Sequence, residues 1–275
     1  MQATAMSKPS PSYRAVFISD VHLGSAACKA EAVQAFLLWV ECEQLYLVGD
    51  IVDIWVSRKK GKWRQAHTNI LRTILDLSEN GCRVYVTPGN HDSELRRMNG
   101  IDYGNIFIDH QFVHETLDGK RLLVVHGDFF DRSVTTFKGL AILGSWMHEG
   151  MTQINHVTNG IRAKLGKKPS DFSSKAKARV KSFIKYFTNF EDRITVDAKN
   201  QGYDGVVCGH IHKPAFELHE ESGAYYINSG DWMQNCSAFV EHHDGRMELI
   251  YWADIAEHLQ PHIHELKQAN TSSKR

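Results

Sequence analysis

No stretch of this chain approaches the ~18 consecutive apolar residues that mark a membrane-spanning helix, so any membrane contact is expected to be peripheral. Net charge is lacking as well. The 32 Lys and Arg residues balance 32 Asp and Glu, which removes a global electrostatic pull toward nucleic acid or membrane and leaves only local patches to act. Nucleic acid is therefore not an expected partner. The five cysteines (Cys28, Cys42, Cys82, Cys208, Cys236) contain no C-x-x-C pair and are odd in number, unlike a secreted disulfide framework, and they point to a reducing, cytoplasmic setting. The first dozen residues are Ser/Pro-rich and lack the apolar core of a signal peptide, so 1–12 reads as a disordered lead. Internal repeats and low-complexity tracts are absent, and nothing in the sequence fixes an oligomeric state.

What is present is enough apolar material, 42% of 275 residues, for a sizeable core. Five short apolar runs recur: Ala15 to Ile18, Leu45 to Val48, Val84 to Val86, Leu122 to Val125 and Gly205 to Cys208. Continuous rather than alternating, they read as strands buried on both faces. Between the first three lie helical stretches, Ala30 to Val40 with Val33, Phe36, Leu37 and Val40 on one face, and another marked by Ile70, Leu71, Ile74, Leu75 and Leu77. Alternating strand and helix is the pattern of an α/β layered fold. Toward the carboxyl end the runs from Ala224, Ser237 and Met247, with Asp244-Gly245 between the last two, read as antiparallel strands, and Asp118-Gly119 gives the same hairpin signal. The expected organisation is one domain over 13–266, a helical insertion over about 131–200, and a polar tail over 267–275.

That insertion carries the chain's main charge asymmetry. Between Arg162 and Lys185 there are nine Lys or Arg against Asp171 alone, an excess of 9 − 1 = 8. Lys164, Lys167 and Lys168 belong to it, beside apolar faces built from Met147, Met151, Ile154, Ile161 and Leu165 and from Ala176, Val180, Phe183, Ile184 and Phe187. Two surface helices with solvated lysines account for this; so does a cationic lid for an anionic substrate or an anionic membrane surface.

Each of the five buried runs ends in side chains able to bind metal. The first leads into Asp20-Val21-His22, where a two-residue spacing in extended chain puts Asp20 and His22 on one side. The others lead into Gly49-Asp50, Gly89-Asn90-His91-Asp92, His126-Gly127-Asp128 and Gly209-His210-Ile211-His212. Any one of these is ordinary; Pro88-Gly89-Asn90 is also common turn chemistry. Ligands of α/β sheets gather at the carboxyl ends of strands, however, and five such groups at five equivalent ends are expected to converge on one centre.

Through these blocks, D-x-H, G-D, G-N-H-D, H-G-D and G-H-I-H in that order, the chain resembles the calcineurin-like metallophosphoesterases. The resemblance implies a four-layer α/β/β/α sandwich and hydrolysis of phosphoesters at two divalent metal ions. It implies Asp20, His22 and His212 at one ion, Asn90, His126 and His210 at the other, and Asp50 bridging. A nitrogen and oxygen ligand set without thiolate fits Mn, with Fe or Zn as alternatives. His91 would then act on the developing charge or the leaving oxygen, with Asp92 orienting its ring.

Within the family the chain is similar to the UDP-2,3-diacylglucosamine hydrolases of lipid A biosynthesis. The similarity lies in Ser19 to Gly24, in Gly49 to Trp55, in His126-Gly127-Asp128 followed by an insertion, and in Gly230-Asp231-Trp232. It implies cleavage of the substrate's pyrophosphate to UMP and 2,3-diacylglucosamine 1-phosphate at the cytoplasmic face of the inner membrane, with the insertion as a lid. Trp55 would be an aromatic wall, and Arg96 and Arg97 would contact phosphate. Core packing for Trp55 and solvation for the two arginines are the plain alternatives. Some members of this branch carry Arg where His91 stands, so His91 follows the wider family and leaves open a soluble phosphodiesterase or phosphoprotein phosphatase. More remote is a non-catalytic scaffold, which would be expected to have lost ligands.

Overall fold

A computed structural model describes residues 11–54, 63–130 and 190–257. By contact the chain divides into two compact units, one formed by 1–128 with 194–275 and the other by 129–193. The second is described only at 129–130 and 190–193, so the expected insertion lies almost wholly outside the described residues.

The first unit is built on two sheets. Its strands in chain order are β1 (Ser12–Ile18), β2 (Glu41–Val48), β3 (Arg83–Thr87), β4 (Ile101–Tyr103), β5 (Ile106–Ile108), β6 (Phe112–Glu115), β7 (Arg121–Val124), β8 (Gly205–Cys208), β9 (Ala215–Leu218), β10 (Tyr225–Asn228), β11 (Ser237–Glu241) and β12 (Met247–Tyr251). A seven-stranded sheet runs β12-β11-β1-β2-β3-β5-β4 and a five-stranded sheet runs β6-β7-β8-β10-β9. Strands β1, β2 and β3 are mutually parallel, as are β7 and β8. Their carboxyl ends therefore open at one edge of each sheet.

Alternation of side chains along β1 and β2 explains the layering. Val16, Ile18, Leu45 and Leu47 face helices α1 (Ala30–Trp39) and α2 (Gln65–Glu79), forming a cluster with Val33, Phe36, Leu37, Ile70 and Ile74. Ala15, Phe17, Tyr46 and Val48 face the other way, onto Leu122, Val124, Val207 and Ile227 of the second sheet. Here register partners Phe17, Tyr46, Tyr85 and Phe107 stack in a ladder across β1, β2, β3 and β5, with ring centroids 4.4, 4.6 and 5.2 Å apart. Leu123, Val206 and Tyr226 are buried on the outer face of the second sheet, and a helix over 190–200 buries Ile194, Thr195 and Ala198.

The continuous apolar runs are strands, and both Asp-Gly pairs close antiparallel hairpins, β6–β7 and β11–β12. Three strands were not legible, and β6 was signalled only by the Asp118-Gly119 turn that follows it. In β4, β5, β6 and β9 the runs are three or four residues long, all but the Ile-Phe-Ile of β5 include polar residues, and β4 is exposed throughout. Strand pairing rather than local pattern makes them strands. Leu75, expected on the buried face of α2, is 49% exposed. Strand β1 begins at Ser12, one residue inside the expected lead. No helix among the described residues is long and apolar enough to cross a membrane.

Candidate metal centre

The carboxyl ends of β1, β2 and β3 in one sheet and of β7 and β8 in the other deliver the five groups. Past its last residue β1 continues beside the chain leaving β2: Asp20 N–H donates to Gly49 O at 3.1 Å, His22 N–H to Asp50 O at 2.9 Å and Leu23 N–H to Ile51 O at 2.8 Å. Asp20, His22, Asp50, His210 and His212 all have φ between 51° and 70°. Asp and His tolerate this left-handed region better than most L-residues, but each such position stores strain that the surroundings must hold. Glycines admit the close approach. A Cβ on Gly49 would lie 2.3 Å from the His126 ring, and one on Gly89 would lie 2.3 Å from Asp50 Oδ1.

Three interlocking groups result, each with ligand atoms within 4.8 Å of one another: Asp20, His22 and His212; His22, Asp50 and His91; Asp20, Asp50 and His126. Asp50 is central. Its Oδ2 lies 3.5 Å from His126 Nε2, 3.8 Å from His22 Nε2 and 3.9 Å from His91 Nε2, and its Oδ1 accepts the His91 backbone N–H at 2.7 Å. His212 Nε2 is 3.2 Å from Asp20 Oδ1. The His210 ring centroid stands 5.2 Å from that of His126, and its backbone N–H donates to Asp20 Oδ2 at 3.0 Å.

Cations fit this donor set. Asp20 Oδ1, His22 Nε2, Asn90 Oδ1 and His126 Nε2 are buried without a hydrogen-bond partner, an arrangement that burial makes costly unless something else satisfies these atoms. The His126 tautomer points the same way. Nδ1 lies 3.0 Å from the Val48 carbonyl, which can only accept, so Nδ1 carries the proton and Nε2 turns a lone pair into the site. Without a cation the same field draws protons instead: burial disfavours protonation of His22 and His126, yet the surrounding carboxylates outweigh it and push both up to about 10, so the Nε2 lone pair of His126 is freed when a bound cation displaces that proton. Burial would raise Asp20 and Asp50, but the neighbouring imidazoles hold both below the ordinary carboxylate range. Carboxylates concentrated in a buried pocket whose imidazoles take up protons in their place call for bound cations.

The supporting residues differ from expectation at one point. Asp92 does not orient His91. Its Oδ1 accepts the Gly89 N–H at 2.6 Å and its Oδ2 accepts those of Ile51 and Val52 at 2.8 and 3.3 Å, so it fastens the G-N-H-D turn to the loop after β2. Burial and the charge of Asp50 raise its pKa. The carboxylate beside the His91 ring is Asp53, buried, with Oδ2 3.3 Å from His91 Nδ1 and 3.7 Å from His22 Nδ1. Its signal was available as the fourth residue of Asp50-Ile51-Val52-Asp53, read above only as a branch feature. Asp231 was likewise read only as part of Gly230-Asp231-Trp232. Its Oδ2 stands 3.7 Å from His212 Nδ1 while Oδ1 accepts the N–H groups of Met233, Gln234 and Asn235. Burial opposes its ionisation, but His212 and those N–H groups bring it down to about 2.

Arg96, expected to contact phosphate, donates to Asp128 Oδ2 at 2.7 Å and so ties the G-N-H-D turn to the H-G-D turn. Arg97 is exposed on the same 3-10 turn, Ser93–Met98. Trp55, Lys164, Lys167 and Lys168 lie outside the described residues.

Comparison with known proteins places the chain. Among curated proteins it is 26% identical over 226 residues, 79% of this chain and 90% of the relative, to the UDP-2,3-diacylglucosamine hydrolase of Pseudomonas paraeruginosa. It is 24% identical over 237 residues, 82% of this chain and 93% of the relative, to that of Haemophilus influenzae. Among solved structures, an archaeal phosphodiesterase aligns at 15% identity with a TM-score of 0.38, covering 86% of this chain and 98% of the other. The profile of the calcineurin-like phosphoesterases matches residues 13–214, from β1 through the last histidine pair. The chain belongs to the calcineurin-like phosphoesterase family and is a phosphoester hydrolase.

Proposed function

We propose that this hydrolase cleaves the pyrophosphate of UDP-2,3-diacylglucosamine to UMP and 2,3-diacylglucosamine 1-phosphate. The observation that carries the reading is the alignment over about nine-tenths of relatives named for that substrate. The sequence of the 131–200 insertion supports it, since a diacylated sugar nucleotide needs apolar surface for its chains beside positive charge for its phosphates, and that segment offers both. Lys164, Lys167 and Lys168, with Arg97, are the cations assigned to the anionic substrate, and Trp55 is its aromatic wall. The same basic segment would bind an anionic membrane surface peripherally, at the cytoplasmic face.

Asp20, His22 and His212 would hold one cation, Asn90, His126 and His210 the other, with Asp50 between them; Mn is the proposed metal, with Fe or Zn as alternatives. Bound there, two divalent cations supply Lewis acidity to a water and neutralise phosphoryl oxygens in an in-line displacement. His91 would donate a proton to the departing oxygen: Asp53 Oδ2 stands 3.3 Å from its Nδ1, and Nε2 lies toward Asp50, 3.9 Å from Oδ2. Asp92 and Arg96 hold the turns that carry these groups.

The deciding assay is release of UMP from the lipid substrate in mixed micelles with Mn. Robust turnover that falls on deletion of 140–189, which spares the buried helix over 190–200, supports the reading. Absence of turnover beside efficient cleavage of cyclic nucleotides, phosphopeptides or other water-soluble esters overturns it. That second outcome belongs to a soluble phosphodiesterase or phosphoprotein phosphatase, which His91 favours because it follows the wider family pattern. A scaffold role is disfavoured by the complete ligand set.

A further inference from the structure

Outside the metal centre, the most closely matched reactive pair is Cys42 and Cys82. Cys42 is the second residue of β2 and half-buried; Cys82 is buried in the turn between α2 and β3. Parallel pairing of β2 with β3, with Gln44 opposite Arg83, sets the two side chains diagonally across neighbouring strands. Their sulfurs are 3.6 Å apart and share a hydrogen bond. Both belong to the apolar layer beneath α1 and α2, and the turn is fixed independently by Cys82 N–H donating to Leu77 O at 3.1 Å.

We propose that Cys42 and Cys82 form a modification site, a dithiol that closes reversibly to a disulfide by exchange with a small disulfide of the glutathione class. A disulfide needs sulfurs about 2.05 Å apart, so side-chain rotation must shorten the present gap by roughly 1.5 Å without moving either strand. Cys42 is the more exposed of the two residues, and because their hydrogen bond raises the Cys42 thiol and lowers that of Cys82, Cys82 takes up the Cys42 proton as Cys42 attacks. The Cys42 thiolate attacks one sulfur of the reagent, expels one thiolate and leaves a mixed disulfide. The Cys82 thiolate then attacks Cys42 Sγ, forms the S–S bond and expels the second thiolate. Two protons leave the cysteines for the two departing thiolates, and two electrons pass from the pair to the reagent, which is reduced to two thiols.

The other cysteines are unsuited to this exchange. Cys28, Cys208 and Cys236 are all buried, so none offers the half-exposed residue that the first exchange needs. The bond would close a loop between positions 40 apart in sequence, a stretch that includes Asp50. It would clamp the amino-terminal end of β2, about 26 Å along an extended strand from the metal-bearing end. Stability rather than catalysis is the property it changes.

The test is to incubate the full-length, metal-loaded protein with oxidised glutathione, block remaining thiols, and map unreduced peptides by mass spectrometry. A Cys42–Cys82 cross-link as the main product, an intact mass lower by two hydrogens, reversal by dithiothreitol and a thermal midpoint higher by roughly 5–10 °C are expected. Cys82→Ser should instead retain a glutathione adduct on Cys42, and Cys42→Ser should lose both adduct and thermal shift. Failure to react, an adduct on Cys42 that never resolves in the unsubstituted protein, or a cross-link to Cys28, Cys208 or Cys236 would overturn the site. A fully cross-linked protein with an unchanged midpoint would overturn its stabilising role.

Discussion

His91 and Asp53 are the residues at which chemistry and support can be told apart. His91→Ala is expected to keep both metals, because its removal leaves Asp20, His22, Asp50, Asn90, His126, His210 and His212 in place, and to lower kcat by ~10²–10⁴ if it is the general acid. Metal content by elemental analysis beside kcat checks this; loss of metal would reassign His91 to the ligands. Asp53→Asn is expected to cost roughly 10–100-fold in activity. Because Asp53 faces both His91 and His22, the double variant decides its route. Little further loss in the His91→Ala background means that it acts through His91. An undiminished second loss, with weaker metal retention, assigns it to His22. Asp53 shows why a motif scan misses support: its type and spacing are visible in the sequence, but which of several histidines it faces depends on how β1 and β2 lie together.

At the scale of the element, the join between β1, β11 and β6 holds a buried ionic knot. Glu241, at the end of β11, accepts the Leu117 N–H at 2.7 Å with Oε1, and its Oε2 meets Arg14 and lies 2.7 Å from His114 Nε2. His114 Nδ1 in turn is 3.2 Å from Tyr46 OH. Burial opposes ionisation of Glu241, but His114, the Leu117 N–H and Arg14 outweigh it and lower its pKa. A carboxylate lowered on folding stabilises above its unfolded value of about 4.3, and that contribution is lost as pH falls through the folded value. Glu241→Gln should therefore flatten the acid limb of stability measured by urea unfolding between about pH 5 and 3. Glu241→Ala should lose about 3–5 kcal/mol at neutral pH by leaving Arg14 and His114 without their carboxylate. An unchanged acid limb in Glu241→Gln would show that other carboxylates set it.

Across the molecule, the metal centre fastens two sheets. Asp20, His22, Asp50 and Asn90 follow strands of the seven-stranded sheet, and His126, His210 and His212 follow strands of the five-stranded one. Chelation should thus lower the thermal midpoint as well as abolish activity. With metal at a hundred times its dissociation constant, each site contributes about 2.7 kcal/mol to the folded state. Calorimetry with and without chelator reads this; equal midpoints after verified metal loss would show that the sheets are held by packing alone. If the basic insertion contacts membranes, co-sedimentation with anionic liposomes should weaken as salt rises, since screening shortens the reach of exposed charge to ~8 Å near 0.15 M.

By itself the sequence determined the reaction class and most of the core. Continuous apolar runs imply strands covered on both faces, and ligand-type residues at the ends of parallel strands must meet, whatever the details of packing. Tertiary structure decided what pairing and proximity alone can decide. Strands β4, β5, β6 and β9 are strands because neighbours offer them a ladder. Asp92 serves backbone N–H groups rather than His91 because the loop after β2 folds over it, and that same loop brings Asp53 to the ring. Arg96 meets Asp128, 32 positions along the chain, and Cys42 meets Cys82 across 40. Residue type and local period carry no information about such pairs; only the register of strands distant in sequence does.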